Sequence, residues 1–305
     1  MDDMENDAGH LEAVAAARQA LLDHMPLDTA SMVAASADWC GAAASIIGPK
    51  HVKDGTPRQD AFALDFIGSV AIGCVADGLG SQSRSHIGSK LASERVVADL
   101  VAAIDGLSEE ERDAALSAGA DGILGEVVKG AIIRAVRETE ALMAIKPGGG
   151  FATTLVGVVT SPAYGFFFHV GDGIAIAYPA DVMMPDQPAM LADQTVSHPE
   201  NGDFDEITYA ITANPDDRHL RFTPIENPRL VALMTDGPMP FAIAKDQESL
   251  AEGLFRPINA QLWTEVGRVH GGRILESVLT DVRAAQISDD DKTLMLFRHM
   301  NADAS

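Results

Sequence analysis

Cysteine is scarce in this chain, which argues against the metal and redox sites that thiolates build. The 305 residues include only Cys40 and Cys74, and these two do not form the close pair that zinc and redox motifs use. Cys74 lies within the apolar run 71–75, where a small buried hydrophobe is the simpler interpretation. Because free thiols are usual in reducing compartments, we expect a cytoplasmic protein.

Positive charge is scarce as well. The chain has 22 lysine and arginine residues against 45 aspartate and glutamate residues, and its formal net charge is −23. A chain this acidic repels nucleic-acid phosphates and anionic lipids. Its first residues lack the basic and apolar regions of a signal peptide, and no apolar run is long enough to span a membrane. We therefore expect neither a nucleic-acid partner nor a membrane location.

The rest of the composition is that of a globular protein. Apolar residues make up 47% and charged residues 22% of the sequence, and the length is ample for a large hydrophobic core. Residues 1–36 are predicted to be an N-terminal extension, in which a helix rich in alanine and leucine at 11–25 packs against the protein or a partner. Residues 37–300 are predicted to form the main domain.

Apolar runs separated by turn residues predict the secondary structure. Strands are predicted at residues 39–47, 61–67, 70–75, 152–160, 164–170, 174–178, 206–212, 230–235 and 292–299. Helices are predicted from residue 83 or 85 to 104, and at about 121–144, 246–263 and 272–285. The three strands between 152 and 178 follow one another closely, so we expect them to be antiparallel. This order of elements is typical of an α+β fold whose helices cover antiparallel sheets.

Two stretches are predicted to be irregular. Residues 50–58 read as a polar loop, and residues 180–228 are rich in proline, aspartate and asparagine. The second stretch is a long insertion that could carry specificity.

Aspartates recur in turns beside strand-like apolar runs. They are Asp77, Asp172 and Asp236, each followed by glycine, and the group Asp289-Asp290-Asp291. Aspartate is a poor strand residue, and glycine after it favours a sharp turn. Such turns, far apart in sequence, suggest strand ends that meet at one place, where carboxylates repel unless a divalent cation lies between them. The sequence therefore predicts a carboxylate-rich metal site.

Six motifs occur in the order found in type 2C protein phosphatases, which are metal-dependent serine/threonine phosphatases, and the chain resembles this family over roughly residues 38–299. The motifs are Gln59-Asp60-Ala61, Val75-Ala76-Asp77-Gly78-Leu79-Gly80, Phe151-Ala152-Thr153-Thr154-Leu155, Val170-Gly171-Asp172-Gly173, Thr235-Asp236-Gly237 and Asp290-Asp291-Lys292-Thr293. Each is weak alone because Asp-Gly turns are common, but the ordered set is specific. The glycine-rich forms around Asp77 and Asp172 are most similar to a bacterial branch of the family.

The resemblance implies a fold and a metal centre. The fold is a four-layer α-β-β-α sandwich of two antiparallel sheets flanked by helices. The centre holds two Mg²⁺ or Mn²⁺ ions that share a water or hydroxide, which attacks the substrate phosphorus in line. Asp77 matches the aspartate that bridges both ions, and the Gly78 carbonyl matches a ligand of one ion. Asp236 and Asp290 match ligands of the other ion, and Asp60 matches a further aspartate of the cluster, acting directly or through water.

Asp290 is chosen from the acidic run by its spacing to Thr293, which is the family spacing, and its two neighbours Asp289 and Asp291 are predicted to be solvated. Thr153 and Thr154 are predicted to be strand residues without a catalytic role. Hard divalent ions prefer oxygen ligands such as these carboxylates.

The chain departs from the family where substrate phosphate is held. No arginine stands at the usual offset before Asp60, and His51, Lys53 and Arg58 are the alternatives for the positive charge. Arg58 has the fork geometry that binds phosphate with two hydrogen bonds, and His51 could instead protonate the leaving alkoxide. As single basic residues on a loop, each is more often an ordinary surface charge. Leu79 stands where many relatives carry histidine.

A third ion is expected to bind poorly. Some bacterial relatives hold one with the aspartate that matches Asp172 and with an aspartate four residues after the one that matches Asp236. The second position is Pro240 here, which has no ligand atom in its side chain. For Asp172 taken alone, an ordinary turn is the simpler interpretation.

The leading functional hypothesis is a Mg²⁺- or Mn²⁺-dependent phosphatase acting on phosphoserine and phosphothreonine. The expected partner is a phosphorylated protein, such as a Ser/Thr kinase or its target. The alternative is a catalytically weak or inactive module that binds a phosphoprotein in regulation, which Leu79 and the missing arginine favour. A structural calcium protein ranks lower, because the acidic turns do not form one contiguous calcium loop.

Overall fold

A computed structural model of the protein describes residues 29–145, 148–179, 190–200, 208–214, 217–244 and 249–300. The helix predicted at 11–25 lies outside the described residues. No helix in the described ranges is long and apolar enough to cross a membrane.

The described elements alternate between groups of strands and groups of helices. The strands are β1 Thr29–Ala35, β2 Trp39–Ile46, β3 Ala61–Ile67, β4 Val70–Ala76, β5 Leu155–Thr160, β6 Tyr164–Val170, β7 Ile174–Tyr178, β8 Thr195–Ser197, β9 Arg221–Glu226, β10 Leu230–Met234 and β11 Lys292–His299. The helices are α1 Pro49–Asp54, α2 Ser85–Asp105, α3 Glu109–Ser117, α4 Ile123–Ile145, α5 Met239–Ala242, α6 Glu252–Leu262, α7 Glu265–Leu279 and α8 Val282–Ile287.

Two antiparallel sheets form the centre of the fold. The larger sheet has the strand order β1-β2-β11-β10-β7-β8, and the smaller has the order β3-β4-β5-β6-β9. Neighbouring strands in both sheets are antiparallel. Most central strands are buried along their whole length, so both of their faces are covered. This explains why these strands read as continuous apolar runs rather than as an alternation of apolar and polar residues.

Three hydrophobic layers hold the sheets and helices together. Between the sheets, Val75 and Phe167 pack with Phe297. On the outer face of the smaller sheet, a second cluster packs α2 and α4 against the strands, and on the outer face of the larger sheet a third packs α6 and α7. Side chains alternate along β11, so Phe297 faces the other sheet whereas Leu296 faces the helices. The predicted four-layer α-β-β-α sandwich is confirmed.

The third strand of the expected antiparallel series lies in a different sheet. β5 and β6 pair as expected, but β7 pairs with β10 and β8. The chain crosses between the sheets at residues 171–173, where Gly171 has a φ of 110° that residues with a side chain rarely adopt. This crossing places Asp172 between the two sheets.

Other differences from the sequence prediction are local. Residues 29–35, assigned from the sequence to the extension, form the edge strand β1 and pair with β2, so the sheet begins before residue 37. The loop predicted at 50–58 contains the short helix α1, which begins at Pro49 and ends at Gly55 in a left-handed conformation. The strand that pairs with β6 is β9, at residues 221–226, which the sequence did not predict. The strand predicted at 206–212 lies partly outside the described residues, and its described part, 208–212, belongs to none of the strands.

The sheets approach each other so closely at Gly73 that a side chain there would collide with the opposite sheet. A Cβ atom at Gly73 would lie 2.5 Å from the sulfur of Met295 and 2.6 Å from Cζ of Phe297. We predict that Gly73→Ala lowers the free energy of unfolding by about 1–3 kcal/mol, because the core has to shift to admit the methyl group. Denaturant unfolding followed by circular dichroism measures this change.

Gly253→Ala in α6 is the matched control. A Cβ atom there meets nothing within 4 Å, and we expect a gain of about 0.4–1 kcal/mol because the unfolded chain loses freedom. Equal effects of the two substitutions would contradict the close approach of the sheets.

Candidate metal centre

Antiparallel pairing brings the acidic turns to one edge of the sandwich. In the smaller sheet, the end of β4 at Ala76 pairs with the start of β3 at Ala61. In the larger sheet, Met234 at the end of β10 pairs with Ile174 at the start of β7 and with Leu294 near the start of β11. The aspartates just beyond these strand ends are Asp60, Asp77, Asp172, Asp236 and Asp290.

Three carboxylates from different parts of the sequence meet at this edge. Asp77, Asp172 and Asp236 each place a carboxylate oxygen within 4.8 Å of the others. Asp77 follows a strand of the smaller sheet, Asp236 follows a strand of the larger sheet, and Asp172 lies in the crossing between them. All three side chains are half-buried. We call these three residues the carboxylate triad.

The pKa values of Asp77 and Asp236 are raised, first by burial and then by the charges of neighbouring carboxylates. Burial, and then the negative charges of Asp172 and Asp290, raise the pKa of Asp236 to about 7. Burial, followed by the charges of Asp60 and Asp236, raises the pKa of Asp77 well above its usual range. A hydrogen bond between Asp77 and Asp236 and another from the Gly237 backbone to Asp236 offset only part of this effect. The negative charges at this edge are therefore poorly compensated by the protein itself.

The residues of the triad fit a divalent cation. Hard cations such as Mg²⁺ and Mn²⁺ take carboxylate and carbonyl oxygens as ligands. The Oδ1 atom of Asp172 is buried and has no hydrogen-bond partner within the described ranges, although buried polar atoms normally have one. A cation among the carboxylates would supply the missing interaction and relieve the repulsion.

The other oxygen of Asp172 is held by a residue that sequence analysis did not select. The hydroxyl of Thr208 donates a hydrogen bond of 2.7 Å to Oδ2 of Asp172. Thr208 lies in the long insertion, within the strand predicted at 206–212, and nothing in the sequence marks it as a partner of Asp172. Asp172 is thus an oriented member of the triad and not only a turn residue.

Thr153 and Thr154 support the turn that carries Asp77. The carbonyl of Asp77 accepts hydrogen bonds from the Thr153 hydroxyl and the Thr154 backbone, both at 2.8 Å. The Asp77 backbone in turn donates to the Thr154 hydroxyl at 3.0 Å. The next residue must be glycine, because a Cβ atom at Gly78 would lie 2.7 Å from the Ser85 backbone. The two threonines, read from the sequence as plain strand residues, therefore orient a member of the triad.

Asp60 lies deeper than the triad. Its Oδ2 atom accepts hydrogen bonds from the hydroxyls of Thr235, at 2.8 Å, and Thr293, at 2.7 Å. Burial, and then the charge of Asp291, raise the pKa of Asp60 well above its usual range, and the two threonine hydroxyls offset part of the rise. The motif threonine of the acidic run thus orients Asp60.

The acidic run at the start of β11 divides into three different environments. Asp289 is exposed and Asp290 is half-buried, with its charge acting on Asp236. Asp291 is only 2% exposed, so the prediction that it is solvated is wrong. Its carboxylate accepts hydrogen bonds from the backbones of Gly48, at 2.7 Å, and Gln59, at 2.5 Å. A carboxylate is buried here because main-chain donors converge on it, which no short-range sequence pattern indicates.

Two of the basic residues considered for phosphate binding are buried beneath the site. The Arg58 guanidinium donates to the backbone carbonyls of Asp60, at 3.1 Å, and Ser45, at 2.7 Å. His51 is 6% exposed, and its Nδ1 atom lies 2.9 Å from Oδ1 of Asp291. Lys53 is exposed on α1. The structure therefore does not place His51 or Arg58 on an open loop, as the sequence suggested.

Comparison with known proteins bears on the family and the fold of this chain. A family model for protein phosphatase 2C matches residues 47–280. No curated protein matches the sequence. Among solved structures, PppA, described as a key regulatory component of T6SS in Pseudomonas aeruginosa, is similar with a TM-score of 0.53 and 14% identity, over 89% of this chain and 100% of that one. Serine-threonine phosphatase 2C from Toxoplasma gondii is similar with a TM-score of 0.52 and 17% identity, over 89% and 99% of the two chains. At these identities the structures show a shared fold.

We predict that Mn²⁺ or Mg²⁺ raises the thermal stability of the protein, and more at about pH 8 than at about pH 6. The pKa of Asp236 is raised to about 7 and that of Asp77 is raised as well, so the metal-free fold loses stability as these two carboxyl groups ionise with rising pH, whereas the metal requires the ionised carboxylates. A hundredfold excess of metal over its Kd would add about 2.7 kcal/mol to the free energy of unfolding. Differential scanning fluorimetry at both pH values measures the effect.

Asp77→Asn should remove most of this stabilisation, because it deletes a carboxylate on which the charges of Asp60, Asp172, Asp236 and Asp290 all act. The same substitution should raise the stability of the metal-free protein near neutral pH, since it removes a repelling charge. A metal response that Asp77→Asn leaves intact would contradict binding at the triad.

Proposed function

This chain belongs to the protein phosphatase 2C family, and we propose that it is a Mg²⁺- or Mn²⁺-dependent phosphatase that hydrolyses phosphoserine and phosphothreonine in proteins. The observation that carries the proposal is the convergence of Asp77, Asp172 and Asp236 from two sheets and the crossing between them. A fold that had lost its metal would keep these repelling, half-buried carboxylates at a cost in stability and without benefit.

The proposed ligands are the residues that surround this edge. Asp77 and the Gly78 carbonyl, with Asp236 and Asp290, would hold two divalent ions, and Asp60 and Asp172 lie beside them. When bound, such ions lower the pKa of a water and neutralise charge on the phosphoryl group. The protein's own part is to fix the ligands, and the hydrogen bonds of Thr153, Thr154 and Thr208 do this for Asp77 and Asp172.

The chain has no cysteine that could act as the nucleophile of a thiol phosphatase. Cys40 and Cys74 are its only two cysteines, and both are buried within strands. Burial raises the pKa of both thiols, and that of Cys74 well above its usual range, so neither is ready to form a thiolate. The reaction that we propose therefore uses water and no protein thiol as the nucleophile.

Phosphate binding is proposed to depend mainly on the metal centre. His51 and Arg58 have polar partners within the protein, which leaves them poorly placed to hold a substrate phosphate. We therefore expect small aryl phosphates, which offer no protein contacts, to bind weakly. A phosphorylated protein such as a Ser/Thr kinase or its target would add contacts outside the phosphate, and this is the partner that we propose.

The second candidate is a catalytically weak or inactive module that binds a phosphoprotein. Leu79, in place of the histidine of many relatives, and the lack of an arginine at the family's usual offset before Asp60 favour it. It does not account for the convergence of the triad, so we prefer the enzyme.

We predict Mn²⁺-dependent hydrolysis of a phosphothreonine peptide and of a small aryl phosphate, with a higher KM for the aryl phosphate. Asp77→Asn should lower kcat/KM by at least about a hundredfold, because a residue that merely supports a ligand already contributes 10–100-fold. Phosphate release measured against Mn²⁺ concentration tests this.

Asp65→Asn is the matched control, since it also removes one carboxylate but from an exposed position on β3, and it should leave kcat/KM unchanged. If the folded wild-type protein binds Mn²⁺ but releases no phosphate from either substrate, the binding module becomes the better account.

A further inference from the structure

Asp291 joins the acidic run, which carries Asp290, to residues 48–51 and to Gln59, which precedes Asp60, although it is not placed to be a ligand itself. Its Oδ1 atom accepts a hydrogen bond from the Gly48 backbone, and its Oδ2 atom accepts one from the Gln59 backbone. The Nδ1 atom of His51 lies 2.9 Å from Oδ1. Both carboxylate oxygens are thus engaged within the protein, at a position that is 2% exposed.

Gln59 connects the carboxylate of Asp291 to the turn that carries Asp77. Its carbonyl accepts hydrogen bonds from the Gly78 backbone, at 3.2 Å, and from the Ser89 hydroxyl, at 2.5 Å. Gln59 also directly precedes Asp60. Through its hydrogen bond with Gln59, Asp291 therefore restrains both Asp60 and Gly78, whose carbonyl is a proposed ligand.

Gly48 links the same carboxylate to the turn before α1. The Lys50 backbone donates to the Asp289 carbonyl at 3.0 Å, and a Cβ atom at Gly48 would lie 2.3 Å from the Asp290 backbone. The acidic run and residues 48–50 are therefore packed main chain against main chain. The backbone of Asp291 itself donates to Oδ1 of Asp290 at 2.9 Å, which orients the neighbouring side chain.

We infer that Asp291, with His51 beside it, is a positioning residue of the metal centre, which sets the spacing of Asp60, Gly78 and Asp290. The inference rests on the proposed function, because it assumes that these residues hold the metal ions. It assigns His51 to the support of Asp291 and not to phosphate binding or proton transfer.

Position 291 requires a carboxylate side chain. Two backbone N–H groups, from Gly48 and Gln59, point at different oxygens of Asp291. An asparagine offers one oxygen only, so its amide group would face one of these donors without a hydrogen bond. Asp291→Asn should therefore disturb the ligands although it keeps the size of the side chain.

Mn²⁺ binding by isothermal titration calorimetry, with the metal alone as the probe, tests the inference. Asp291→Asn should weaken the Kd for Mn²⁺ by about 10–100-fold, which is the range for residues that orient metal ligands. Asp113→Asn is the control for loss of stability alone, because it weakens the hydrogen bond to Ser161 at the far end of β5. The control should leave the Kd unchanged.

His51 supplies a second test that does not depend on the folding of the Asp291 variant. His51→Asn retains an N–H donor close to the place of Nδ1 and should bind Mn²⁺ within about threefold of the wild type, whereas His51→Leu should lose about tenfold. At saturating Mn²⁺, both variants should keep the kcat of the wild type on the phosphothreonine peptide. A loss of kcat in His51→Asn with an unchanged Kd would instead assign His51 to the chemistry and overturn the inference.

Different experimental results would contradict the proposed function and this inference. If the wild-type protein does not bind Mn²⁺, the proposed function fails. If the wild type binds Mn²⁺ and His51→Leu binds it equally well, or if Asp291→Asn binds it no worse than Asp113→Asn does, the metal centre stands and the positioning role of Asp291 is refuted.

Discussion

The candidate metal centre depends on a repulsion between carboxylates, which the packing of the two sheets brings close together. Asp77 and Asp236 come from opposite sheets, and the packing of those sheets brings their carboxylates together with Asp172. Burial and neighbouring charge raise the pKa of Asp77 and Asp236. The interlayer core thus does more than stabilise the protein, because the same contacts that place Phe297 against Gly73 also set the distance between these acidic turns.

Hydroxyl and backbone groups hold these carboxylates in fixed orientations by hydrogen bonds. Thr153 and Thr154 fix the turn at Asp77, and Thr208 holds one oxygen of Asp172. None of these groups carries a charge, so they orient the carboxylates without neutralising them. The arrangement leaves the neutralisation to a cation, which is why a metal-dependent reaction suits it better than a purely structural role.

Features that depend on local pattern could be predicted from the sequence. The last strand is found at 292–299, as its apolar run indicated, and Asp77 and Asp236 lie in the turns that follow apolar strands. Features that depend on distant partners could not. Nothing within residues 164–178 indicates that β7 joins the other sheet. β1 is rich in alanine, which is depleted in strands, so its sequence does not separate it from an extension. The burial of Asp291 likewise depends on backbone donors more than 200 residues away in the chain.

Asp290 and Asp291 show how neighbouring carboxylates acquire opposite roles. A family spacing singled out Asp290 as a ligand, but spacing alone does not say why its neighbour would be excluded from a metal ion. The structure supplies the reason, since both oxygens of Asp291 are engaged by Gly48 and Gln59 on the packed side of the strand end. Asp290 is half-buried near Asp236, and its charge adds to the repulsion there. The available hydrogen-bond donors, and not the residue type, decide which of the two carboxylates would remain available to a cation.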